Sequence, residues 1–162
     1  MMIDKIKRVL DRSIIFVASI LLVILVIGAL WQVFTRYILQ SPSTFTNELL
    51  GFLLVWTSLL GATYAFGENK HLALTFMMKK LTKSRKLIIT ILNDLIIILF
   101  AVVILLKGGI DAVQITMMQN TPILGIPKGI VYLIMPISGV LIILYKLLDM
   151  KNYRAIIKKE CE

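Results

Sequence analysis

The stretch Leu87-Ile88-Ile89-Thr90-Ile91-Leu92-Asn93-Asp94-Leu95-Ile96-Ile97-Ile98-Leu99-Phe100-Ala101-Val102-Val103-Ile104-Leu105-Leu106 decides the fold. Sixteen of its 20 residues are Leu, Ile, Val or Phe. As a helix rising about 1.5 Å per residue it is long enough to cross a bilayer core of roughly 30 Å. Each apolar residue favours insertion by about 0.3 to 0.6 kcal/mol, whereas one central Asp opposes it by about 2.5 to 3.5 kcal/mol. Insertion wins, and Asp94 must be sheltered.

Three more runs are of membrane length, so the spans are predicted at about 13–37, 49–66, 87–106 and 129–148. Hydrophobic residues make up 59% of the 162, more apolar surface than one soluble core of this size would hide. The expected fold class is an all-α integral membrane protein of four transmembrane helices, a single domain over 1–162. The first run resembles a signal peptide in its basic lead. Its apolar stretch is too long, and no small-x-small cleavage site follows Trp31, so it is expected to remain as a span.

The charges orient the bundle. Of 18 Lys and Arg residues, 15 fall into three clusters: Lys5, Lys7, Arg8 and Arg12; Lys70, Lys79, Lys80, Lys83, Arg85 and Lys86; and Lys146, Lys151, Arg154, Lys158 and Lys159. Only Arg36, Lys107 and Lys128 lie elsewhere. Positive loops stay on the cytoplasmic side, which predicts both termini and the middle connection inside. A net charge of +9 usually raises nucleic acid as a partner. Here the charges flank spans, so they read as topology signals and contacts with membrane lipids, and no nucleic acid is expected. Within the middle connection, Leu72, Leu74, Phe76, Met77, Met78 and Leu81 alternate with lysines, as in a short amphipathic helix on the membrane surface.

Several positions are candidates for structural or subunit-interface roles. Gly51, Ser58, Ala62 and Ala65 form a small-residue stripe on the face of the second helix that carries Glu48. Asp94, Ala101 and Gly108 recur every seven residues on the third. Such stripes let helix backbones approach closely in lipid. Gly129, Tyr132, Pro136, Gly139 and Ile143 align on the fourth, where Pro136 removes a backbone donor and is expected to kink the span. Arg36 and Glu48 flank the first outer turn. Either they pair, or Arg36 snorkels beside Tyr37 while Glu48 complements the helix dipole. Asp94 reads two ways, as a proton or cation site or as an interhelical hydrogen-bonding group.

Catalysis has no evident machinery: no Ser/His/Asp set, no phosphate-cradling loop and no paired carboxylates can be assembled. His71 is the sole histidine, which excludes paired-imidazole haem ligation within the chain and favours a hydrogen bond at a helix end. Cys161 is the sole cysteine and cannot form an intrachain disulfide. No cofactor or metal site is expected. Transport by the chain alone is not suggested either, since secondary transporters carry matching broken helices in two halves.

The order Phe34-Thr35-Arg36-Tyr37, Phe45-x-Asn47-Glu48, Trp56, Gly61-Ala62-x-Tyr64-Ala65 and His71-Leu72-x-Leu74, followed by Pro127, Tyr132, Pro136 and Gly139, resembles the small, DctQ-like membrane subunit (Q subunit) of tripartite ATP-independent periplasmic (TRAP) transporters. Phe45, Asn47, Thr75 and Ile130 depart from the residues frequent in that family. The resemblance implies a bacterial inner-membrane complex. In it a periplasmic binding protein delivers an organic acid, such as sialic acid or a C4-dicarboxylate, to a large membrane subunit (M subunit) driven by sodium. The small subunit is then a static scaffold, and sodium binds the large partner. The competing reading is a small stand-alone proton-coupled exporter using Asp94.

Overall fold

The computed structural model describes the backbone of residues 2–67 and 83–160 and the side chains of residues 5–67 and 89–149. Among them the regular structure is helical: α1 (Met2–Tyr37), α2 (Thr44–Gly67), α3 (Lys83–Phe100), a π-helical segment (Ala101–Gly108), α4 (Gly109–Thr116), α5 (Lys128–Tyr132) and α6 (Ile134–Glu160). The α3, π and α4 pieces follow one another without a gap as a third rod, and α5 with α6 makes a fourth. Four stretches are long and apolar enough to cross a membrane: Lys5–Tyr37, Thr44–Gly67, Ile89–Thr116 and Lys128–Asp149. The surface helix expected around Leu72 to Lys83 and the residues His71 and Cys161 lie outside the described side chains.

Local chemistry sets the boundaries. After Tyr37 the chain reverses through Gln40, which adopts φ +50°, and Pro42. Ser43 then caps α2, its Oγ accepting the Thr46 N–H at 3.3 Å and lying 2.8 Å from Thr46 Oγ1. The helix therefore starts earlier than the apolar run alone predicts, and Glu48 falls beyond its first turn.

The third rod is longer than its apolar core and contains a feature the sequence did not announce. Across Ala101–Gly108 the helix widens into π turns. A straight α-helix would put Asp94, Ala101 and Gly108 on one line. The wider turns instead bring every fourth residue to the same side, so Ala101, Leu105 and Gly109 are the buried ones. The register slips by one, and Gly109 replaces Gly108 at the point of closest approach. A methyl group on Gly109 would lie 2.9 Å from Pro136 Cδ and 3.1 Å from its backbone nitrogen, whereas one on Gly108 would meet only its own helix at 3.7 Å.

The fourth rod breaks at Leu133, three residues before Pro136. Proline disfavours a helical turn that would need its N–H, but tolerates the first turn of a new helix. The chain uses that option by restarting at Ile134. Trp56 braces the break by donating its indole N–H to the Val131 carbonyl at 3.0 Å.

Packing is pairwise. α1 runs along α2, the third rod runs along the fourth, and the two pairs meet where α2 packs on α6. One cluster joins Ile14, Leu60, Ile134 and Tyr145; another joins Ile97, Ala101, Leu105 and Ile142. Most other large apolar side chains face outward, Phe16, Leu30, Leu95 and Leu99 each being more than 60% exposed. In water that surface would drive aggregation. In lipid it is the solvated face.

Candidate functional site

At the end of the bundle where α1 begins and α6 leaves the apolar zone, charged groups close on one another. Lys146, wholly buried, places its Nζ 2.9 Å from Asp94 Oδ1. One turn on, Asp149 accepts from Lys7 Nζ at 2.9 Å. Tyr145, also wholly buried, donates its hydroxyl to Asp11 Oδ1 at 2.7 Å. Gly67 lets that ring approach, since a methyl group there would lie 2.8 Å from Tyr145 Cε1. Three neighbouring residues of α6 thus bind α1 and α3 and pack on the last residue of α2.

Asp94 thus has a partner on the fourth rod. Its carboxylate faces an opposite charge from the adjacent helix, and the other oxygen, Oδ2, has no hydrogen-bond partner among the described residues. A buried pair of this kind links two helices, and removing one partner alone leaves an uncompensated buried charge. Lys146 was read from the sequence as one of five basic residues marking the inner side. The signal that it differs was present: it stands in Leu141-Ile142-Ile143-Leu144-Tyr145-Lys146-Leu147-Leu148, with apolar residues on both sides.

At the opposite end, Glu48 does not pair with Arg36. Its Oε2 accepts the backbone N–H groups of Ile123 at 3.1 Å and Leu124 at 3.2 Å. The Thr121–Gly125 turn offers these amides because Gly125 closes back on the Thr121 carbonyl at 3.2 Å with φ +67°. Thr121 is buried and its hydroxyl accepts the Ile126 N–H at 3.1 Å. Glu48 therefore pins the second connection of this end rather than the first. Arg36 is exposed, its guanidinium 5.9 Å from the centre of the Tyr37 ring. Gln32 donates to Asn47 Oδ1 at 2.9 Å and ties α1 to α2.

The two small-residue stripes have different fates. Asp94 and Ala101 are buried inside the bundle, against the fourth rod. Gly139 meets Ala101 from the other side, a methyl group on it lying 3.0 Å from Leu105 Cβ and 3.3 Å from the Ala101 carbonyl oxygen, while Pro136 meets Gly109. Gly51, Ser58, Ala62 and Ala65 are all exposed, and a methyl group on Gly51 or Gly61 would meet nothing within 4 Å. This face of α2 has close-approach geometry, and among the described residues no helix lies against it. Among the described residues no three His, Cys, Asp or Glu side chains converge as metal ligands would.

Four membrane-length helices, internally cross-linked by their own charges, define a small polytopic membrane protein built as a packing body. Residues 25–153 match the family of the DctQ component of tripartite ATP-independent periplasmic transporters, and the chain belongs to that family. It is 29% identical over 140 residues to a small permease protein assigned to TRAP transporters in Haemophilus influenzae, covering 86% of this chain and 82% of that one. A second such protein of the same organism is 25% identical over 137 residues, covering 84% and 82% of the two chains. The sialic acid TRAP transporter small permease protein SiaQ of Vibrio cholerae is 26% identical over 117 residues, 72% of this chain and 67% of its own. Small subunits of the family work with large membrane subunits and binding proteins.

Proposed function

We propose that the chain is the scaffold subunit of a sodium-driven importer of organic acids. It lies in the bacterial inner membrane with both termini cytoplasmic and holds a large membrane subunit to which a periplasmic binding protein delivers the substrate. The chain itself is neither an enzyme nor a holder of cofactor or sodium; the coupling ion binds the large partner. The carboxylate class fits the relative named for sialic acid, with C4-dicarboxylates as the other candidates.

One contrast carries the reading. The ionisable groups inside the bundle, Asp94 and Lys146, face each other across two helices of the chain, while the bare Gly51, Ser58, Ala62 stripe is shaped to receive a helix. A scaffold needs that combination; a stand-alone exporter using Asp94 needs the reverse. Tagged chain expressed with the large subunit is expected to copurify with it in fixed ratio, and Gly51→Leu with Ser58→Leu is expected to abolish copurification while leaving the chain folded. The chain reconstituted alone is expected to give no substrate flux. Copurification unaffected by the double substitution removes this face from the interface, and flux from the chain alone overturns the scaffold reading.

A further inference from the structure

We propose that the start of α1 carries a binding site for the headgroup of an anionic phospholipid, formed by Arg8 and Arg12 above an apolar slot. Arg8, Asp11, Arg12, Ile15, Phe16 and Ser19 line an open groove of about 510 Å³ along one face of the helix. Arg8 and Arg12 are four residues apart, so their side chains emerge on the same face one turn apart. Lys5 is exposed at the matching position a turn earlier.

The charges of this groove are not consumed by the other described residues. Lys7, on the neighbouring face, is held by Asp149, and the one acid of the groove, Asp11, has an oxygen held by the Tyr145 hydroxyl. Neither Arg8 nor Arg12 makes an ion pair or hydrogen bond with another described residue, and both are exposed. Two guanidiniums thus face one carboxylate already hydrogen-bonded elsewhere, and Lys5 adds to the positive excess. Planar guanidinium groups match phosphate oxygens two by two, which a lysine cannot do.

Position selects a lipid over a soluble phosphate. The groove straddles the point where α1 turns from charged to apolar: immediately past Arg12 come Ile15 and Phe16, 42% and 65% exposed, and the helix then continues as an unbroken membrane-length span. A phosphodiester at the level of the arginines has its acyl chains lying along Ile15, Phe16 and the wall beyond. An anionic headgroup such as phosphatidylglycerol answers the surplus charge, whereas a zwitterionic choline headgroup brings a cation against it.

The test is native mass spectrometry of the purified chain in detergent, titrated separately with dioleoyl phosphatidylglycerol, dioleoyl phosphatidylcholine and glycerol 3-phosphate. The expected result is preferential retention of phosphatidylglycerol, weakened about tenfold by R8Q/R12Q, as loss of charge-assisted contacts to phosphate implies. K107Q, which removes an exposed cation from the other end of the bundle, is expected to leave retention unchanged. Neither arginine braces the fold, so the double variant is expected to melt with the wild type. Equal retention of the two lipids by the wild-type chain, retention unaltered in R8Q/R12Q, or glycerol 3-phosphate binding as tightly as phosphatidylglycerol would each overturn the assignment.

Discussion

Replacing Lys146 by Met keeps a long unbranched side chain in place and removes its ammonium group. The wild-type ammonium lies 2.9 Å from Asp94 Oδ1, with the two side chains 0% and 3% exposed. Asp94 Oδ2 has no partner to fall back on. K146M therefore strands a carboxylate in an apolar interior, and breaking a buried pair in this way costs about 3 to 5 kcal/mol. At 4 kcal/mol the folding equilibrium moves by roughly three orders of magnitude. Restoring neutrality with Asp94→Leu in the same chain removes the stranded charge, so D94L/K146M is expected within about 1 kcal/mol of wild type. The assay is reversible unfolding in mixed micelles with rising SDS, followed by circular dichroism, arranged as a double-mutant cycle. A K146M chain within about 1 kcal/mol of wild type, or a double variant as unstable as the sum of the singles, would refute the idea that the pair is a mutual neutralisation lock.

Three further outcomes are expected. Gly109→Ala puts a methyl group 2.9 Å from Pro136 Cδ and 3.1 Å from its backbone nitrogen, so the rods must separate; it should cost about 1 to 3 kcal/mol, while Gly51→Ala, with nothing within 4 Å, should be neutral within about 0.5 kcal/mol in the same unfolding assay. Glu48→Ala frees the Ile123 and Leu124 amides, and because this site is partly exposed the loss should be only about 1 kcal/mol, read best as faster hydrogen exchange at those two amides. Ser138→Ala removes a wholly buried hydroxyl whose Oγ has no hydrogen-bond partner, so the variant should unfold no earlier than wild type.

The spans were legible because a membrane span is written as sheer apolar length. Their ends follow other signals: the short polar residues from Ser43 to Asn47 start α2 ahead of its apolar run, and the basic lead of α1 extends that helix before its own. The fourth helix read well, since Gly129, Pro136 and Gly139 do share the face that meets the third rod. Gly108 misled because the seven-residue spacing assumes α turns, and the π segment shifts its register by one. Of the two readings of Arg36 and Glu48, the one that sets Arg36 beside Tyr37 matches the structure, whereas the amides that bind Glu48 come from 75 residues further on, beyond what proximity along a hairpin shows. Of the terminal lock, Asp94 stands out in the sequence and its partner does not, because four neighbouring cations make Lys146 look like one more topology signal.

The ion pair has a consequence for how the protein is made. Synthesis runs from the N-terminus, so Asp94 reaches the membrane 52 residues before Lys146. At about 5 to 20 residues per second that interval is roughly 3 to 10 s. Through it the segment with the lone acid must remain at the translocon or rely on its 16 greasy neighbours, and it settles only when the last helix brings its counter-charge alongside. The final two spans are thus coupled at birth, by an acid on one and its counter-charge on the next.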